Sequence, residues 1–292
     1  MSILSLPPEK RTCLITGCSS GIGYSTAIEL KKRGIRVLAT ARQAKDVEML
    51  KSKGFEAYLL DMDDSQSIKS ALEQILSLTQ NQLFAVLNNA GFGQPGAIED
   101  VSRETMRAQF ETNLFGVLEL TNQVLPIMRL QGYGRIVQIS SFLGFVSAPF
   151  LGAYNASKHA LEALTDTLRL ELHYEPIDVV TIRPGAIRTR TQETAYLKLK
   201  QHIHRDKSHY KKIYALMERK FLLGKMKMPL AQEPEAVSEK IWHALSAKAP
   251  KTKYTITHLT LLLAIAKRVL PSAVLDSILM LAIKNQFKNN LK

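Results

Sequence analysis

Arg11-Thr12-Cys13-Leu14-Ile15-Thr16-Gly17-Cys18-Ser19-Ser20-Gly21-Ile22-Gly23, residues 11–23, is the stretch that decides how this chain folds. Its first six residues are a short, mostly apolar run. A turn with three glycines follows, and from there to residue 33 Ile22, Ala27, Ile28 and Leu30 keep helical spacing. Glycine lets the backbone turn tightly and approach a diphosphate with no side chain in the way. The helix that opens there offers free N–H groups and partial positive charge. The spacing is Gly-x-x-x-Gly-x-Gly, not the Gly-x-Gly-x-x-Gly of the common dinucleotide fingerprint. For the string alone, a purely structural turn is the alternative.

Working outward, strand and helix patterns alternate. Strands are expected at 35–41, 55–60, 83–87, 135–140 and 177–183. Helices are expected at 45–53, at 65–78 with Ser65 as cap, at 103–112, 116–129 and 153–173. Strands apolar nearly throughout and separated by helices are parallel and covered on both faces. Right-handed crossovers then leave a Rossmann-type, doubly wound α/β sheet. One domain is expected over 1–256, with a helical lid at 190–232 and a basic amphipathic helical extension at 257–292.

The composition agrees. Of 292 residues, 46% are hydrophobic and 22% charged, which excludes bulk disorder, collagen and coiled coil. Two cysteines exclude a disulfide scaffold and a four-cysteine zinc site. With no basic, apolar leader ahead of them, a reduced, cytoplasmic compartment is the simplest expectation. The net charge of +13 is uneven: residues 1–189 are neutral, and residues 190–292 hold 20 Lys+Arg against 7 Asp+Glu. An anionic partner or a merely solvated basic surface would each account for that.

Further motifs follow in order: Asn88-Asn89-Ala90-Gly91 after the fourth strand, Thr112-Asn113-Leu114, Ser141 thirteen residues before Tyr154, Tyr154-Asn155-Ala156-Ser157-Lys158, and Pro184-Gly185 after the sixth strand. Together with the first turn they resemble the short-chain dehydrogenase/reductase family over about residues 10–190, and more weakly 230–256. The likeness is greatest to its hydroxysteroid, retinol and aldehyde-reducing branch. It implies a catalytic set of Asn113, Ser141, Tyr154 and Lys158. It implies cofactor contacts from Gly17, Ser19, Ser20, Gly21, Ile22, Gly23, Asp61, Met62, Asn89, Ala90, Gly91, Tyr154, Lys158, Pro184, Gly185, Ile187 and Thr189. Asp61 would meet the adenine amino group, Thr189 and the backbone about Ile187 the nicotinamide carboxamide, and Asn113 a water. Transfer of the pro-S hydrogen and pairing as a homodimer or homotetramer are implied in the same way.

The residues themselves add physical reasons. Tyr154 and Lys158 share one helix face. A tyrosine with pKa near 10 is a poor base at neutrality, and an adjacent ammonium, helped by the cationic nicotinamide ring, is expected to bring it towards 7. Ser141 follows a strand, where its hydroxyl can meet a carbonyl oxygen. The second strand ends in Thr40-Ala41-Arg42 with no carboxylate for a ribose 2′-hydroxyl; a guanidinium there favours a 2′-phosphate, so NADP(H) is expected over NAD(H).

Leu143, Phe145 and Phe150, around the catalytic serine and tyrosine, should form an apolar substrate wall. A lid helix carrying Ile213, Leu216, Met217 and Phe221 would oppose it. An apolar aldehyde, retinoid or steroid and its alcohol fit such a pocket, and polar sugars fit it least. No metal is expected: His202, His204 and His209 lie among Arg205, Lys207, Lys211 and Lys212 and read as a surface loop. In the tail, neither apolar run reaches the length that spans a bilayer. Peripheral contact with an anionic membrane, packing on a second subunit and folding back over the lid are all open. No base-reading module suggests nucleic acid. A silent nucleotide sensor and a membrane-surface interaction protein are the rival functions.

Overall fold

A computed structural model describes residues 1–223 and 230–286. Seven strands, β1 (Thr12–Ile15), β2 (Arg36–Ala41), β3 (Glu56–Leu59), β4 (Ala85–Asn88), β5 (Gly134–Ile139), β6 (Ile177–Arg183) and β7 (Lys253–Thr255), form one sheet in the order β3-β2-β1-β4-β5-β6-β7. All pairings are parallel; Cys13, for example, lies between Val37 and Ala85. The helices are α1 (Gly21–Lys32), α2 (Ala44–Ser52), α3 (Ser65–Leu78), α4 (Arg103–Phe110), α5 (Gly116–Gln131), α6 (Gly152–Glu171), α7 (Thr191–His202), α8 (Lys211–Leu222), α9 (Glu235–Ser246), α10 (His258–Val269) and α11 (Ser272–Gln286). This is the expected Rossmann-type doubly wound sheet.

Successive strand residues point to opposite faces, so two cores form. Cys13, Ile15 and Val37 pack under α1, α2 and α9 with Leu30, Leu50 and Ile241. Leu14, Leu38 and Val86 pack under α3, α5 and α6 with Ile68, Val124 and Leu161. Strand order reverses between β1 and β4, which opens the crevice at their carboxyl ends.

One buried charge ties this frame together. Arg135, on β5, is fully buried. Its guanidinium donates to the carbonyls of Ala244, Leu245 and Ala247 at the end of α9, to Met1 O, and to Asp178 on β6. The last carbonyls of a helix lack intrahelical partners, and here a cation supplies them.

Several local expectations change. Asp64, not Ser65, caps α3, accepting the Gln66 N–H at 2.9 Å, while Ser65 Oγ donates to Glu119. The helix expected at 103–112 stops at Phe110, and a π-helical turn, Glu111–Phe115, joins it to α5. The lid holds two helices. α7 shows no clear apolar stripe because, of its side chains, only Leu199 is fully buried. His202 is no surface-loop residue: it ends α7 with Nδ1 2.8 Å from Gln94 Oε1. Residues 224–229 of the lid and 287–292 of the extension lie outside the described residues. Among the described residues no group of His, Cys, Asp and Glu could hold a metal.

Candidate active site

The turn after β1 has the backbone its glycines imply. Gly17 and Gly21 sit at φ +72° and +61°. A Cβ at Gly23 would run into the Gly17 carbonyl oxygen and the Asn89 side-chain amide. That amide donates to the Thr16 and Gly17 carbonyls at 2.9 and 3.0 Å. Thr16 Oγ1 accepts the N–H groups of Asn89 and Ala90, each at 2.9 Å. Thr16 was not singled out in the sequence, yet it locks the turn after β1 to the turn after β4. Ser20 precedes α1 without a side-chain capping bond, and Ile22 packs inward on the core. A tight glycine turn leading into a helix N-terminus with no side-chain cap fits a diphosphate.

Arg42 is exposed at the end of β2; the cap of α2 is Gln43, so Arg42 has no capping role. A second cation lies near it. Lys198 on α7 reaches over the Phe92 ring, 4.7 Å from its centroid. Burial and the like charge of Arg42 push its ammonium pKa down. Nothing in the sequence signals Lys198, because only the path of α7 brings it here. Asp61 accepts the Asp63 N–H at 3.2 Å within its turn. Met62 is buried in the core beneath Gly116, so a contact to adenine would come from its backbone.

Amide side chains build the loop after β4, whose buried backbone groups need partners. Gln109 accepts from Gln94 N–H and donates to Phe92 O at 2.8 and 2.9 Å. Asn113, in the π-turn, accepts from Phe92 N–H and donates to Phe92 O and to Ser157 Oγ, at 3.0 to 3.1 Å. A Cβ on Gly91 would stand 3.0 Å from Asn113 Oδ1 and 3.8 Å from Lys158 Nζ. The π-turn and the cofactor loop thus converge on the lysine. A π-turn inside a helix is itself a frequent mark of function, but periodicity cannot show it.

α6 carries Tyr154 and Lys158 one turn apart. Ser141 stands near enough to the phenol to pull its pKa down, but burial outweighs it and holds the pKa above the ordinary tyrosine range. The lysine alone therefore does not make the phenol acidic. Lys158 Nζ is 5.9 Å from the ring centroid and donates instead to Ile139 O at 2.7 Å. Burial brings the ammonium down to about 8, with Glu162 opposing. Ser141 Oγ also accepts the Leu143 N–H at 3.1 Å. Ser140 turns its hydroxyl under Gly144, beside Glu162.

The lysine makes stability depend on pH. With a folded pKa of about 8 against an ordinary 10.5, the folded chain binds fewer protons than the unfolded chain between those values. Stability from this group therefore rises with pH across that window and is lost as pH falls through the folded value. Urea titrations of wild type and Lys158→Met should differ by a constant below about pH 8, and the difference should shift in favour of wild type towards pH 10.5. Parallel curves throughout would contradict a buried, neutralisable Lys158.

The substrate wall is partly as expected. Leu143 and Phe145 join Val146, Leu151 and Tyr154 in one apolar cluster. Phe150, at φ +62°, turns to the lid and packs edge-on against Tyr210, 5.2 Å between centroids. α8 meets this wall at Phe150, whose ring stands edge-on to Tyr214, 6.4 Å between centroids; Tyr214 and Met217 also pack with Leu199 and Ile203 of the lid itself. The opposing residues are Leu263 and Ala266 of α10 and Leu275 and Leu279 of α11. The tail thus folds over Tyr154.

After β6, Pro184 O accepts the Phe142 N–H at 3.0 Å, linking this turn to the Ser141 turn. Gly185 is closely packed: a Cβ would collide with the hydroxyls of Thr257 and Thr260 at the start of α10. Ile187 is buried. Thr189 lies against Gly21, and its Oγ1 accepts the Thr191 N–H at 3.2 Å, leading into α7. Cofactor turn, lid and tail therefore meet around one crevice.

Known proteins share this arrangement. A family model described as short chain dehydrogenase matches residues 11–200. The chain is similar to the uncharacterized oxidoreductase YbbO of Escherichia coli, 42% identical over 95% of this chain and 97% of that protein. It is also similar to the NADPH-dependent 3-dehydrocapnine reductase of Ornithobacterium rhinotracheale, 32% identical over 92% of this chain and 95% of that one. The crystal structure of a short-chain dehydrogenase from Streptomyces avermitilis superposes with a TM-score of 0.75 at 26% identity, covering 97% of this chain and 98% of that chain.

Proposed function

The chain belongs to the short-chain dehydrogenase family, and from that premise we propose that it is an NADP(H)-dependent oxidoreductase interconverting an apolar carbonyl compound and its alcohol. The observation that carries this is the placement of Tyr154, one helical turn from Lys158, beside Ser141 and walled by apolar side chains. The dinucleotide, when bound, supplies the hydride in reduction and accepts it in oxidation. Tyr154 gives its proton to the carbonyl oxygen as charge develops there. The Ser141 hydroxyl donates a hydrogen bond to the same oxygen. Lys158 holds ribose hydroxyls and, with Asn113, returns the proton from solvent. A phenol that keeps its proton at neutral pH suits reduction, and alcohol oxidation is favoured at higher pH.

Arg42 at the end of β2, with Lys198 of α7 near enough to feel its charge, supports NADP(H) over NAD(H), and the relative named for NADPH dependence agrees. Aldehydes, retinoids and steroids suit the aromatic and aliphatic lining. Exposed Phe115 at the end of the π-turn, Leu118 on α5 and Leu164 and Leu170 on α6 suit pairing with a second copy. Free, buried Cys13 and Cys18 suit a reducing, cytoplasmic compartment.

The test is a panel of carbonyl compounds with NADPH and NADH, followed by loss of absorbance at the nicotinamide band. NADPH should be the better donor. Arg42→Ala should weaken NADPH binding roughly 10- to 100-fold, the worth of a charge-assisted bond, and leave NADH unchanged. Lys198→Gln should do the same more weakly. Equal loss for both dinucleotides would remove the 2′-phosphate assignment, and no turnover with any carbonyl would remove the enzyme reading.

A further inference from the structure

α10 and α11 form a helical hairpin with two apolar faces. The inner face, Leu263, Ala266, Leu275 and Leu279, closes the pocket over Tyr154. On the outer face Leu261, Leu262, Ile265, Val269, Ile278 and Leu281 are each about half exposed or more, from 47% for Leu261 to 73% for Val269. A soluble surface seldom leaves so many large apolar side chains together without a partner. Beside them Lys267 and Arg268 end α10, both exposed, and neither makes an ion pair among the described residues. From residue 257 onward the sequence has five Lys+Arg and one acid, Asp276. No described helix is long and apolar enough to cross a membrane.

We propose that this hairpin docks the protein on an anionic lipid bilayer, lying in the interface with its outer face among the acyl chains. An apolar helix face with a basic border, too short to span, is what binds there. A second copy is the weaker occupant. A two-fold contact sets each patch against itself, and this one would bring an excess of positive charge against the same excess. The hairpin also packs on Tyr154, so docking brings the lipid to the helices that cover it. The substrate class that follows is a membrane-resident apolar carbonyl or alcohol that partitions along the hairpin to Tyr154. This delivery step rests on the catalytic reading given above; the docking does not.

The experiment is sedimentation of the full chain with vesicles, without cofactor or substrate. Vesicles of three parts phosphatidylcholine to one part phosphatidylglycerol should bind the protein at least about tenfold more tightly than pure phosphatidylcholine vesicles, and added salt should weaken the binding. Leu262→Glu with Ile265→Glu, and separately Lys267→Glu with Arg268→Glu, should each lower binding about tenfold or more, with circular dichroism and turnover of a short, water-soluble aldehyde unchanged. A wild type that stays in the supernatant at low salt would overturn the proposal. So would variants that bind as wild type does, or light scattering showing that Leu262→Glu with Ile265→Glu splits an oligomer, since a second copy would then own the face. Vesicle binding without turnover of any carbonyl would leave the docking standing and remove the catalytic reading; turnover without vesicle binding would do the reverse.

Discussion

Tyr154→Phe should bind NADPH about as well as wild type and lose turnover by about 10³-fold or more, the range expected for removing a positioned acid. The variant keeps the ring, and so keeps its packing with Leu143, Val146 and Leu151. What it lacks is the one hydroxyl that Ser141 orients. Burial keeps the proton on that hydroxyl at neutral pH, which means the loss should be greatest in the reducing direction near neutrality. Fluorescence titration with NADPH separates this from a binding defect. Turnover within tenfold of wild type would leave the reaction without its proton donor and end the mechanism.

Arg135→Met should unfold at much lower denaturant, by about 3–5 kcal/mol, because removing one partner of a buried ion pair strands the other groups. Three carbonyls at the end of α9, Met1 O and Asp178 all face the guanidinium. Methionine fills much of the space and satisfies none of them. Arg135→Met combined with Asp178→Leu should recover part of the loss, since the stranded carboxylate is then gone. A denaturation midpoint for Arg135→Met equal to that of wild type would show that water serves those groups as well as the cation does.

Much of this was legible in the sequence. The apolar strands and glycine turn pointed to the doubly wound sheet that forms, and the order of motifs singled out Tyr154, Lys158, Ser141 and Asn113, which the fold brings near one another. These depend on local pattern, which a single chain displays. What stayed hidden depends on long-range placement. Lys198 belongs to a helix with only one fully buried side chain, so its amphipathic signal is weak, and its approach to Arg42 is set by the fold. The π-turn at Asn113 has an ordinary helical composition. The lid helix at 211–222 was readable from its apolar spacing, but which wall it faced was not: its underside packs on α7, and the tail takes the place over Tyr154. Spacing likewise shows that a lysine is near Tyr154, not that its ammonium turns to a backbone carbonyl while burial acts on both groups.

The close approach of Gly185 to Thr257 and Thr260 has a consequence for how such a protein can diversify. The bend after β6 and the first residues of the hairpin cannot shift independently, so the place proposed for the nicotinamide ring and the helices that cover Tyr154 share one frame of reference. Changes farther along the hairpin alter which guest is admitted and leave that frame alone. Selectivity can therefore drift along the tail while the chemistry stays where the sheet has put it.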